Sequence, residues 1–90
     1  MTETDIYIEV IEKIGYKFID EYKLSNNINL IKFGWKNTTI LSLYFNFNSE
    51  IVSKIEIDTV GEDTNLMNKK LFEETHRELF RDAKLRDLVD

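Results

Sequence analysis

Apolar residues recur with the period of an α-helix from residue 5 to residue 23. On a helical wheel at about 100° per residue, they fall on one half of the circumference, and most charged residues fall on the other half. The apolar half contains Tyr7, Ile8, Val10, Ile11, Ile14, Phe18, Ile19 and Tyr22. This pattern predicts an amphipathic helix whose apolar side covers a core, and Thr2 or Thr4 can cap its start.

Gly15 interrupts this predicted helix and leaves two interpretations open. A glycine inside a helix costs about 1 kcal/mol, so the helix could end at Ile14 and the chain could continue as a strand. Alternatively, the glycine lies on the apolar side and lets the helix approach its partner closely. We favour the continuous helix, because the wheel stays segregated through Tyr22, whereas a strand would place Asp20 among apolar residues.

Three later segments alternate between apolar and polar residues, which is typical of β-strands with one solvated face. The segments are 28–35, 39–47 and 52–60. The loops that connect them, 36–38 and 48–50, are short enough to join antiparallel neighbours. The sequence therefore predicts a three-stranded antiparallel meander.

The short loops also determine which residues oppose each other in that sheet. They place Leu43 opposite Ile31 on one side and Ile55 on the other, and they place Phe47 opposite Ile51. All odd-numbered residues of the three strands then share one face. That face is apolar and predicts the core, with Ile31, Phe33, Trp35, Leu41, Leu43, Phe45, Phe47, Ile55 and Ile57. The opposite face is mixed and solvated.

A second amphipathic helix is predicted from residue 68 to residue 83, where the apolar stripe ends at Ala83. The apolar residues beyond it, Leu85, Leu88 and Val89, lie on another side of the wheel. The helix therefore breaks near Ala83 or offers a separate apolar patch. Residues 1–90 are predicted to form one α+β domain with the order α-β-β-β-α(α), in which both helices pack on one face of the meander.

The composition narrows the classes of protein to consider. The chain of 90 residues has no cysteine, which excludes disulfides and thiolate metal sites, and its 17 acidic and 12 basic residues give a net charge of −5. The N-terminal stretch is acidic where a signal peptide would be basic, and no apolar run is long enough to cross a membrane. We expect a cytoplasmic protein.

Residue types that carry out chemistry are scarce. Glu73 and His76 have the ExxH spacing of helix-borne metal ligands, but di-metal bundle sites combine two such motifs. Glu56 and Asp58 lie on one face of a strand, as any two alternate strand residues do. No glycine-rich loop or nucleophile motif is present. We expect no metal, no cofactor and no enzymatic activity.

Two surfaces remain as candidates for binding another protein. One is the acidic end of the sheet, with Tyr44, Glu56, Asp58, Glu62 and Asp63, and the other is the C-terminal patch of Leu85, Leu88 and Val89. The acidic surface favours a basic or nucleic-acid-binding partner. The sequence thus predicts an acidic protein-binding domain and, in a narrower version, an inhibitor or immunity-type protein that acts on a nucleic-acid-handling enzyme. The C-terminal patch could also cover its twin in a homodimer.

Two alternatives accompany this prediction. Lys69 and Lys70 stand at the start of the predicted last helix, and in this respect and in its α-β-β-β-α order the chain resembles double-stranded-RNA-binding domains. The resemblance would imply phosphate contacts by these lysines, although Glu73 and Glu74 follow them directly. The other alternative is a homo-oligomeric accessory protein.

Overall fold

A computed structural model describes residues 1–61 and 65–89 of the chain. Its elements are α1 (Glu3–Ile14), β1 (Lys17–Lys23), β2 (Ile28–Trp35), β3 (Thr39–Asn46), β4 (Val52–Thr59), β5 (Asn65–Met67), α2 (Lys69–Thr75) and α3 (Arg77–Val89). The strands form one open antiparallel sheet in the order β1-β2-β3-β4-β5. The α+β class is confirmed. The three-stranded count is wrong, because β1 and the three-residue β5 extend the meander at its two edges.

The first helix ends at Ile14, so the predicted continuation to Tyr22 is wrong. Gly15 caps α1 with a φ of 124°, a backbone conformation that side chains disfavour and glycine tolerates. Its amide donates a hydrogen bond to the Glu12 carbonyl, and the Trp35 indole lies 3.4 Å from the place where a Cβ would be. The chain therefore turns at Gly15 into β1, which is exposed along its whole length.

The three central strands have the predicted faces. Leu43 opposes Ile31 and Ile55, as expected from the short loops, and all three side chains are buried. A bulge between Tyr44 and Phe45 then shifts the register by one residue. The buried cluster contains Tyr7, Val10, Ile11, Ile31, Phe33, Leu41, Leu43, Phe45, Val52, Ile55, Phe72, Phe80 and Ala83. Both helical ends of the chain thus pack on the odd face of the sheet.

Two side chains of the predicted core, Phe47 and Trp35, are exposed at its margins, and one that was not predicted there, Val52, is buried. Because of the bulge, Phe45 opposes Val52. Val52 is therefore buried in place of Ile51, and Phe47 lies in the loop before β4 and is exposed. Trp35 is 40% exposed at the end of β2, where it packs beside Tyr16.

The C-terminal helix breaks at His76 and not near Ala83, so of the alternatives that the sequence left open, the break near Ala83 does not occur. His76 leaves the helical conformation with φ −116° and ψ 34°, and its amide bonds to the Phe72 carbonyl. The break redirects α3 so that Phe72 and Phe80, on different helices, both contact Tyr7 of α1, with ring centroids 5.9 and 4.8 Å from the tyrosine. These three aromatic rings join α1, α2 and α3, and Ala83 is buried within the continuous α3.

The start of α1 is attached to distant parts of the chain. The Glu3 carboxylate accepts hydrogen bonds of 2.7 Å from the Val52 amide and the Lys69 ammonium. Thr4 donates from its amide and hydroxyl to the Glu50 carbonyl. These contacts fix α1 across the sheet. Within the part of the chain that the structure describes, no helix is long and apolar enough to cross a membrane.

Candidate functional site

A groove follows the outer side of the α2–α3 break and has a volume of about 470 Å³. We call it the α2–α3 groove. It is lined by Lys70, Glu73, Glu74, Arg77, Phe80, Arg81, Lys84, Leu85 and Leu88. These positions recur every three or four residues, so both helices turn the same side toward the groove. The lining extends across the break at His76, from Lys70 of α2 to Leu88 of α3.

The apolar part of the groove contains two of the predicted partner-binding residues. Leu85 is 52% exposed and Leu88 is 82% exposed, and the buried Phe80 lies between them and the core. Covering an exposed leucine with a partner would be favourable, because each Å² of apolar area removed from water contributes about 25 cal/mol to the free energy of association. The structure therefore brings Leu85 and Leu88 together in one concave surface. Val89 ends α3, but its side chain lies outside the described part.

The charged part of the groove is predominantly basic. Four basic side chains, Lys70, Arg77, Arg81 and Lys84, stand against two acidic ones, Glu73 and Glu74. Only long ion pairs restrain this group in the described chain, with 3.8 Å between Lys84 and Glu73 and 3.8 Å between Arg81 and Asp82. Exposed pairs of this kind contribute little. The groove is thus locally positive on a chain whose net charge is −5.

Two titratable side chains of the helices, His76 and Tyr7, have pKa values that burial shifts. The His76 ring packs against Phe72 with centroids 4.8 Å apart, and burial lowers the pKa of His76 below its ordinary value. Burial, followed by the carboxylate of Glu73, raises the pKa of the Tyr7 phenol. Among residues 1–61 and 65–89, no group of three or more histidine or carboxylate side chains could hold a metal ion. These groups support packing more than chemistry.

The predicted acidic site is only partly described. Glu56 and Asp58 lie on the outer face of β4, opposite Ser42 and Ile40, and Glu62 and Asp63 lie outside the described residues. The Lys54 ammonium pairs with Glu56 at 3.1 Å and lies 4.4 Å from the centre of the Tyr44 ring. Lys54 thereby links Tyr44 and Glu56 and neutralises one of the two described carboxylates, whereas Asp58 is exposed.

Sequence reasoning missed the basic side of the groove. Arg77, Arg81 and Lys84 recur at helical spacing and are followed by Leu85 and Leu88, and this spacing was the available signal. The lysine at the helix start is engaged elsewhere, because Lys69 pairs with Glu3. No family model, curated protein or solved structure matches the chain.

Proposed function

We propose that the chain is a non-enzymatic protein-binding domain whose α2–α3 groove binds an acidic amphipathic helix of another protein. The observation that carries this proposal is the juxtaposition of two exposed leucines with four basic side chains in one concave surface. A helix presents apolar residues at positions i, i+3 or i+4 and i+7 to such a groove. Carboxylates beside these residues would face the lysines and arginines.

Charge complementarity selects this occupant over a second copy of the same groove. Two copies related by a two-fold axis would place one basic surface against the other, and like charges in an interface are unfavourable. The homodimer through the C-terminal helix that the sequence suggested therefore receives less support from the groove than an acidic partner does. The volume of about 470 Å³ is in the range of sites that accept a few side chains.

The absence of enzymatic activity belongs to the same proposal. The only histidine of the chain packs against an aromatic ring, and burial lowers its pKa. The described part of the groove contains no nucleophile beside a general base. Its lysines and arginines can attract and orient a carboxylate, which is a binding role.

A second candidate function is the acidic inhibitor of a nucleic-acid-handling enzyme. The net charge of −5 and the exposed Asp58 support it. Against this, three of the described carboxylates are engaged within the chain, because Glu3 pairs with Lys69, Glu9 with Arg86 and Glu56 with Lys54. This version would predict a basic partner, whereas the groove favours an acidic one.

The alternative of double-stranded-RNA binding has less support. It requires free cations at the start of the last helical segment, but Lys69 is held by Glu3 at 2.7 Å and Lys70 lines the α2–α3 groove with Glu73 and Glu74. RNA binding that weakens steeply with salt would favour this alternative.

The proposal is tested with a fluorescent helical peptide that has leucine at i, i+3 and i+7 and glutamate at its flanking positions. Binding is measured by anisotropy for the wild-type chain and for Leu85→Asp with Leu88→Asp. The matched control is Leu71→Asp, because Leu71 of α2 is 53% exposed, as Leu85 is 52% exposed, yet does not line the groove. A second peptide has lysine in place of every glutamate.

The double variant is expected to weaken binding by at least about tenfold, the equivalent of one lost anchor residue. Leu71→Asp should leave binding unchanged, the lysine peptide should bind less, and added salt should weaken the acidic peptide. Failure of the wild-type chain to bind, or equal binding by both peptides, would contradict the proposal. So would equal losses for the control and the groove variant.

A further inference from the structure

The first strand has a free edge, because among the described residues β1 pairs only with β2 at one end of the sheet. Every residue from Lys17 to Lys23 is exposed, although the Phe18 ring contacts Phe33 and the Ile19 side chain lies beside Gly34. Four large apolar side chains are exposed in and directly after it, namely Phe18, Ile19, Tyr22 and Leu24. An edge of this kind offers backbone groups to a further strand, and a further strand would displace the 2.8 Å hydrogen bond that the Glu21 amide donates to the Asp20 carboxylate.

A bulge divides β1 into two halves that differ in their capacity to pair. The register with β2 shifts between Phe18 and Asp20, and a bulge of this kind twists an edge away from further pairing. From Asp20 onward the strand is regular. Glu21 and Lys23 then lie on the inner face, opposite Ile31 and Asn29, whereas Tyr22 lies on the outer face, opposite Leu30.

We propose that two copies of the chain pair through the regular half of β1, antiparallel, about a two-fold axis at Tyr22. In this register Tyr22 opposes Tyr22 of the second copy on the outer face. On the inner face Glu21 of each copy opposes Lys23 of the other, which forms two cross-strand pairs of opposite charge. The Glu21 carboxylate also accepts a hydrogen bond of 3.0 Å from the Asn29 amide, which holds it at the strand.

The charges of β1 select this register over its neighbours. A two-fold axis at Asp20 would place Asp20 against its twin and Lys17 against Lys23. An axis at Glu21 would place that carboxylate against its twin. Like charges directly opposite each other are destabilising, so only the axis at Tyr22 makes the strand complementary to itself within the residues after the bulge.

The two-fold axis would stand perpendicular to the sheet, because antiparallel edge pairing keeps corresponding faces on the same side. The sheet would continue from one copy into the other, and the helices of both copies would cover the same face. Both α2–α3 grooves would then lie on one side of the dimer. The pairing does not depend on the proposed role of the groove.

The test is a set of charge exchanges read by sedimentation or light scattering at concentrations up to about 1 mM, because a short interface is weak. In a dimer of Glu21→Lys, lysine would face lysine at both cross-strand pairs. In a dimer of Lys23→Glu, glutamate would face glutamate at both pairs. Each variant alone should remain monomeric. Their equimolar mixture restores both attractive pairs and should form a heterodimer, and the variant that carries both exchanges should form a homodimer.

Lys17→Glu is the matched control, since it changes a β1 charge before the bulge and should leave the wild-type dimer intact. Thermal melts show that each variant is folded. A wild-type chain that remains monomeric over the whole concentration range would overturn the proposal. Dimerisation of both single variants, or a mixture that stays monomeric, would overturn the charge pairing.

Discussion

β1 and β3 are the two neighbours of β2, and they differ in almost every respect. β3 has eight residues whose side chains alternate between buried and half-buried along the whole strand. β1 has seven residues, all of them exposed. Both strands pair with β2 in antiparallel register, β3 without interruption and β1 with the bulge between Phe18 and Asp20. Backbone hydrogen bonds to β2 therefore hold both strands, and the larger difference lies in how much of each strand is covered.

This difference shows why apolar periodicity identifies only covered strands. The odd face of β3 is buried beneath the helices, so its sequence alternates strictly. The residues of β1 are exposed along the whole strand, so no period of two was required, and its Phe18, Ile19 and Tyr22 happened to continue the helical wheel of α1. A strand that is only an edge has the weakest sequence signal.

The largest expected difference between β1 and β3 is in the loss of stability when an aliphatic side chain of each strand is shortened to alanine. Leu43→Ala in the fully buried middle of β3 should lower the free energy of unfolding by about 2–5 kcal/mol, because it removes buried contacts and leaves a cavity. Ile19→Ala in β1, where the side chain is 50% exposed, should cost about 1 kcal/mol or less. Denaturant melts of both variants provide the comparison, and equal losses would show that β1 is covered in solution.

The next largest effect is expected at Gly15, the residue at which α1 ends and the chain turns into β1. Gly15→Ala should lower the free energy of unfolding by about 1–3 kcal/mol, because its φ of 124° strains any side chain, while the new methyl group would lie in ordinary contact with Trp35. Gly61→Ala is the comparison, since Gly61 also has a positive φ but no neighbour within 4 Å among the described residues. Similar losses at both glycines would show that backbone strain dominates. A stabilised Gly15→Ala would instead indicate a helix that continues into the β1 segment.

The smallest effect on stability is expected at His76, the residue between α2 and α3. Burial lowers the pKa of His76 below its ordinary 6.5 in the folded chain, so the unfolded chain takes up the proton first. Stability is then lost as the pH falls from about 6.5 toward the folded pKa. His76→Gln should show a shallower loss than the wild type between about pH 7 and pH 5 in urea melts. Parallel pH profiles of the two proteins would contradict this expectation.

The sequence predicted the centre of this fold and missed its margins. Leu43, Ile31 and Ile55 were correctly opposed because short loops and strict alternation leave one register. The bulge after Tyr44 exchanged Val52 for Ile51 in the core, and a single extra residue leaves no trace in a short pattern. The helix break at His76 was missed because Phe72 and Phe80 fit one straight stripe as well as two bent helices.

The candidate site was predicted in the same partial way. Leu85 and Leu88 were identified because they lie off the stripe that packs α3, and the structure places both in the α2–α3 groove. The basic residues around them were not singled out, because Arg77, Arg81 and Lys84 at helical spacing are equally typical of any solvated helix face. The groove that these residues line together with the leucines was therefore not predicted.

The attachment of α1 has a consequence for synthesis on the ribosome. α1 is synthesised before the segments that it contacts, because Glu3 binds Val52 and Lys69, and the partners of Tyr7 are Phe72 and Phe80. Contacts so distant along the chain form late, after the closure of a long loop. While translation continues, the apolar side of α1 therefore lacks these contacts until α3 has left the exit tunnel.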